Sequence, residues 1–190
     1  MERENPKQRL SPQDAEIALL VKASLSGNSS AFAKLISLNE RRIWAVGMSF
    51  FHNPTDAEDF VQEVFIKAYT HLSSYQGKSK FSTWLTSIAY TTAINAKNRT
   101  KEYDTLADED LLEAQSDSPE ERHIKRVTRE AVREAIQELP EAYAFCIDLY
   151  FFYDNSYDEI AIITGLPVNT IKSHIFRAKK ILRVKLADYS

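Results

Sequence analysis

The chain has 190 residues, 44% of them hydrophobic and 27% charged, with a formal net charge of -3. That composition suits one large or two small folded domains, and the net charge alone argues against a nonspecific nucleic-acid binder. Cys146 is the only cysteine, which excludes an internal disulfide and a cysteine-based metal site. No apolar run approaches membrane-spanning length, and the polar N-terminus has no apolar signal region, so no membrane insertion is expected and the expected location is cytoplasmic.

Four Gly, six Pro and no regular strand alternation favour an all-α chain. Residues 1–13 read as a flexible N-terminus. A short helix follows from Asp14 to Leu25 and ends at Gly27 and Asn28. Ser29 or Ser30 is placed to cap the next helix, which buries Phe32, Leu35, Ile36, Ile43, Val46 and Met48 and is stopped by His52-Asn53-Pro54. Thr55 and Glu58 have capping-box spacing for a third helix, Asp56 to Leu72. Its apolar stripe is Phe60, Val61, Val64, Phe65, Ala68 and Leu72, and its polar side carries Asp59, Gln62, Glu63 and Lys67. A polar loop with Gly77 spans Ser73 to Lys80. A fourth helix runs from about Ser82 to Asn98 through Trp84, Leu85, Ile88, Ala89 and Ala93, and Lys97 and Arg99 suit its C-terminus.

Composition then shifts. Thr100 to Glu121 contains nine acids and one base, which reads as a flexible acidic linker. Ser118 with Glu121 forms another capping-box pattern, with Pro119 at the first helical position, and opens a helix that Pro140 stops after Leu139. Glu141 to Tyr153 is strongly apolar, and Cys146 within it reads as a core residue. The expected plan is two helical bundles: residues 14–99 and 119–190, joined by a linker over 100–118.

The C-terminal segment is the most specific. Ser156 and Glu159 form a capping box, Ala161 is small where two helices cross, and Gly165 sits where a turn needs a positive φ. Six Lys or Arg and no acid lie between Thr164 and Ala187. A compact helix pair with a basic second helix is a DNA-reading device. If that helix opens at Pro167 to Thr170, helical spacing puts Ile171, Ile175, Ala178, Leu182 and Leu186 on the core face. Asn169, Thr170, Lys172, Ser173, Phe176, Arg177 and Lys180 fall outward, short polar groups first and later cations towards phosphate. From the residues alone, a helix-turn-helix regulator with a sensing or dimerising first bundle also remains open. Such a regulator would bind duplex DNA by itself. A protein-binding adaptor leaves the basic helix unexplained.

Several segments carry a family resemblance. Leu139-Pro140-Glu141, Tyr157-Asp158-Glu159-Ile160-Ala161, Thr170-Ile171-Lys172-Ser173, Arg177-Ala178 and Leu182-Arg183 resemble region 4 of the extracytoplasmic-function (ECF) bacterial sigma factors. Asp56 through Phe65 resembles region 2.2 of the same family, and Phe81-Ser82-Thr83-Trp84-Leu85 resembles the start of its promoter-reading helix. The resemblance covers roughly Ala15 to Leu186, both domains in order.

It implies a non-enzymatic subunit, without cofactor or metal, that binds core RNA polymerase through the β′ clamp helices and the β flap and selects promoter DNA. An anti-sigma protein is a further partner it implies. Asp59, Gln62 and Glu63 match the clamp-binding positions, an acidic face suited to a basic partner. Tyr75, Gln76, Lys78, Lys80, Phe81 and Trp84 are candidates for the −10 reader, which in that family captures a flipped base of the non-template strand, with a core role the alternative for Phe81 and Trp84. Asn169, Thr170, Lys172, Ser173, His174, Phe176, Arg177 and Lys180 match the −35 reader.

The chain departs from the family pattern in places. Asn169 replaces a usual Gly, His174 a usual Arg, and Tyr90-Thr91 a common Arg-Asn pair. Ser87 and Ile88 occupy the positions of the melting tryptophans of housekeeping sigma factors, which implies weaker melting and a demand for a close promoter match. The acidic linker matches the segment that threads the polymerase cleft, where its charge would mimic RNA. His52, His71, His123 and His174 lack metal-ligand spacing.

Overall fold

The computed structural model describes residues 12–103 and 131–187, and every regular element among them is helical. Two compact units divide between Thr92 and Ala93.

In the first unit α1 spans Pro12–Leu25, α2 Ser29–Phe51 and α3 Pro54–Thr70, with a 3-10 turn at Leu72–Ser74, and α4, Phe81–Tyr103, begins there and runs past the division. Helix α1 starts two residues before the expected Asp14, at a proline that the first helical turn tolerates. The cap of α2 is Asn28, not Ser29 or Ser30: its side-chain oxygen accepts from the Ala31 N–H at 3.0 Å. Helix α2 stops where His52 takes a left-handed conformation, φ 55.

The cap of α3 also differs from expectation. Asn53, not the Thr55–Glu58 pair, accepts from the N–H of Thr55 (2.8 Å) and of Asp56 (3.4 Å), with Pro54 in the first turn. Proline lacks an N–H and has a helical φ already, so placing the cap just before it costs nothing. Helix α4 runs past its expected end at Asn98 to Tyr103, because no Gly or Pro interrupts the segment. The expected linker thus begins as helix; residues 104–118 of it, and 119–130 of the following helix, lie outside the described residues.

The core of this unit is the inner stripe of α2 and α3. Leu35, Ile43, Val46, Phe50, Ala57, Phe60, Val64 and Ala68 are all buried. Helices α2 and α3 approach closely at Gly47, where a Cβ would stand 2.9 Å from Phe60 Cδ1. Helix α4 adds Phe81, Leu85 and Ala89, and meets α2 where Tyr90 lies edge-on to Phe50, ring centroids 6.1 Å apart.

In the second unit, α5 covers the described helical residues 131–137, followed by α6 (Glu141–Phe151), α7 (Tyr157–Thr164) and α8 (Val168–Lys185). Ala131, Ala135, Ile136 and Leu139 from the α5 segment join Phe145, Cys146, Ile147 and Leu149 of α6 in the core. Ile160 and Ile163 of α7 and Ile171, Ile175 and Ala178 of α8 complete it. Helix α6 ends at Phe151, two residues short of Tyr153, and Asp154 takes φ 52 in the turn that follows.

Candidate functional site

The α7–α8 pair is set by local chemistry at each end. Ser156 Oγ accepts from the Glu159 N–H at 3.2 Å, and the Glu159 carboxylate accepts from the Ser156 N–H at 2.9 Å, closing the expected capping box. Gly165 ends α7 with φ 72, a conformation most side chains avoid. Two residues on, Pro167 precedes α8, whose start carries no side-chain cap. The positive end of the helix dipole is therefore left for another anionic neighbour.

The two faces of α8 separate as helical spacing requires. Ile171, Ile175 and Ala178 are at most 2% exposed, while Asn169, Lys172, Ser173, Phe176, Arg177 and Lys180 are exposed and Thr170 is half-buried. Phe176 is 70% exposed, a large apolar ring on a polar face.

Both flanks of that face lean on aromatic rings that sequence reasoning did not single out. On one side Tyr150 and Tyr157 stack in parallel, 5.1 Å apart at 6°. Lys172 lies 6.0 Å from the Tyr157 ring, and Lys179 lies 5.3 and 5.0 Å from Tyr150 and Phe151. On the other side Arg177 Nη1–H donates to the Tyr143 hydroxyl oxygen at 3.2 Å. His174 is half-buried, its ring 4.9 Å from that of Tyr143 and its Nδ1 3.8 Å from Cys146 Sγ. Burial, and secondarily the Arg177 charge, hold His174 below the ordinary histidine value, so its neutral form is favoured. Burial pushes the Cys146 thiol up to about 11, which leaves it inert near neutral pH. Spacing within α8 could not reveal these contacts, because their partners lie upstream on α6 and, for Lys172, at the start of α7.

In the first unit, Asp59 and Gln62 are exposed on α3 and Glu63 is half-buried. Glu63 pairs with Lys67 at 2.7 Å, one turn on, and Lys67 Nζ donates to Thr92 Oγ1 of α4 at 3.2 Å. Of the three carboxylate-and-amide positions, Glu63 is thus the most restrained. Beside Gln62, between α2 and α3, lies an open groove of about 500 Å³ lined by Glu40, Arg41, Trp44, Glu58, Val61 and Gln62. Trp44 is 39% exposed there. Its position one turn after Glu40 and Arg41 is the signal that would have found it.

The loop before α4 is held by a three-ring cluster. Tyr75, Phe81 and Trp84 lie with all three pairs of ring centroids 5.4 Å apart. Tyr75 donates its hydroxyl to the Ser79 carbonyl at 2.9 Å, closing the loop across Gly77, φ 68. Burial, then the charge of Asp14, raises the Tyr75 hydroxyl above its ordinary value. Phe81 is 2% exposed and forms the floor of the cluster, whereas Tyr75 and Trp84 are half-buried and Gln76, Lys78 and Lys80 exposed.

Two protein-family models match the chain: "Sigma-70 region 2" over residues 35–102 and "Sigma-70, region 4" over residues 129–182. The RNA polymerase sigma-H factor of Pseudomonas aeruginosa is 34% identical over 173 residues, covering 86% of this chain and 90% of that protein. The ECF RNA polymerase sigma-E factor of Escherichia coli K12 is 33% identical over 178 residues, covering 88% and 93%. The chain belongs to the ECF sigma factors.

This sigma factor is a transcription initiation factor that binds core RNA polymerase and directs promoter-specific transcription. The ECF sigma factor SigW of Bacillus subtilis is also similar, 30% identical over 88% of this chain and 95% of its own. The fold is shared with CnrH, solved in complex with the cytosolic domain of CnrY, at a TM-score of 0.67 and 22% identity over 92% of this chain and 99% of that one. It is shared too with the Bartonella quintana sigma factor RpoE, solved with the anti-sigma factor NepR, at a TM-score of 0.64 and 24% identity over 82% and 96%. Among the described residues, no helix is long and apolar enough to cross a membrane, and no cluster of His, Cys, Asp and Glu is arranged to hold a metal ion.

Proposed function

We propose that the two units divide promoter recognition between them, with residues 14–99 as region 2 and 119–190 as region 4, in a cytoplasmic, non-catalytic subunit. The observation that carries this reading is the two-faced α8. Its inner side is locked into the core by Ile171, Ile175 and Ala178, while Asn169, Thr170, Lys172, Ser173, Phe176, Arg177 and Lys180 are left for the −35 major groove. The short polar groups near the uncapped helix start meet base edges and phosphate, and the cations further along anchor the backbone.

Region 2 then binds the β′ clamp helices through Asp59, Gln62 and Glu63. The −10 element is read by the loop from Tyr75 to Lys80 with Trp84. Half-exposed Tyr75 and Trp84 offer a surface for a base taken out of the stack, Gln76 a polar edge, and Lys78 and Lys80 charge for phosphate, while buried Phe81 supports the two rings from beneath. Region 4 contacts the β flap. An anti-sigma protein covering the polymerase-facing surfaces is the regulator this reading implies, as an anti-sigma factor is bound to RpoE.

Sequencing transcripts after induced expression gives the cognate promoter. Asp59→Lys with Glu63→Lys is expected to weaken core binding while the α8 surface keeps its affinity for a −35 duplex. Unchanged core affinity in that double variant would remove the clamp contact from the reading.

A further inference from the structure

Arg177, an outward residue of α8, is tied by a direct hydrogen bond to α6. Its guanidinium donates a single N–H to the Tyr143 hydroxyl oxygen at 3.2 Å. A guanidinium has five N–H donors in a rigid fork, so one bond fixes the side chain without exhausting its donors. Tyr143 stands in the first turn of α6, and its ring is fixed in turn by His174, 4.9 Å away at 48°. His174 is itself wedged between Tyr143 and Cys146. Four side chains thus form one chain of contacts from the buried Cys146 thiol out to the exposed guanidinium.

We propose that Tyr143 is a positioning and specificity-determining residue for −35 recognition, holding Arg177 in its reading conformation through its hydroxyl while His174 steadies its ring. The proposal rests on the reading of Arg177 as a −35 contact. An unrestrained arginine loses several rotamers when it engages a base edge, and a hydrogen bond made before binding removes part of that cost. His174 is then a spacer facing α6 and not a phosphate contact.

The test uses full-length protein in holoenzyme with core polymerase from the source organism. The probe is a duplex carrying the cognate promoter identified by transcript mapping. Tyr143→Phe removes one oxygen and leaves the ring against His174. It is expected to weaken promoter binding about three- to tenfold, the range for one lost ordinary hydrogen bond, and to relax discrimination at one −35 base pair. In an Arg177→Ala background the same change is expected to have no effect. Arg177→Lys, which keeps the charge and loses the fork, is expected to abolish the coupling as well. A purely structural role for Tyr143 would lower stability and binding equally in both backgrounds, so equal losses overturn the proposal, as does wild-type binding and discrimination by Y143F. If R177A itself binds like wild type, the reading of Arg177 as a DNA contact fails first and the proposal falls with it.

Discussion

Gly47 lies where α2 and α3 approach closely, and an added methyl group there has a calculable cost. The alanine Cβ would lie 2.9 Å from Phe60 Cδ1, 3.1 Å from Ala57 Cα and 3.2 Å from Ala57 Cβ. The Phe60 side chain is 4% exposed, and the nearer Ala57 contact is backbone, so α2 and α3 must separate to make room. Overpacking of this kind costs roughly 1–3 kcal/mol. Alanine returns about 1 kcal/mol because glycine is a poor helix former. The net expectation for Gly47→Ala is a loss of about 1 kcal/mol, since the nearest rigid neighbour cannot turn aside. The chain has two tryptophans, Trp44 and Trp84, and both lie in the first unit. Urea denaturation followed by tryptophan fluorescence therefore reports on region 2 alone, and the midpoint is expected to fall by about 0.5 M. A midpoint equal to or above that of wild type would refute the reasoning, because it would mean that helix propensity outweighs the contact.

Three further outcomes follow from other parts of the structure. Ile171→Ala removes a fully buried side chain from beneath the outward face of α8 and is expected to cost region 4 about 2–5 kcal/mol. Promoter recognition through −35 should be lost while the fluorescence midpoint of region 2 holds; a shift in both units would contradict the division. Asn53→Ala is expected to cost region 2 about 1 kcal/mol, and Thr55→Ala less than about 0.5 kcal/mol, by the same fluorescence assay. The reverse order would restore the Thr55–Glu58 cap. For His174, whose folded value lies below its unfolded 6.5, the stabilising contribution is present above that value and is lost as pH falls through the lower, folded one. Circular dichroism melting between about pH 7.5 and about pH 5.5 should show wild type losing more stability than His174→Asn. Parallel pH profiles for the two would exclude the burial of His174 against Tyr143 and Cys146.

The fold was legible wherever its cause was local. The capping box at Ser156, the left-handed Gly165 and the inward series Ile171, Ile175 and Ala178 are each written within a few residues, and all three appear where the pattern places them. Caps were misplaced where two capping side chains compete within a turn: Asn28 over Ser29, and Asn53 over Thr55, the latter because Pro54 fixes the first helical position. What depends on a partner helix was not readable. The close approach at Gly47 exists because Ala57 and Phe60 return opposite it. The Tyr143–His174–Cys146 contact joins residues whose separation carries no periodic signal. Candidate site residues were legible as faces, not as restraints. Spacing put Arg177 and Lys172 outside, but could not show that Tyr143 and Tyr157 lie against them.

The most direct test of a promoter reader split between two units is reconstituted transcription. Core polymerase would be assayed with and without this sigma factor on the mapped promoter and on templates with the −10 or the −35 element scrambled separately. The account expects no specific transcript from core alone, a strong transcript from the intact promoter with the sigma factor present, and loss of that transcript when either element is scrambled. Transcription that survives the scrambling of one element, or sequence-specific duplex binding by the isolated protein that makes core polymerase unnecessary, would contradict it.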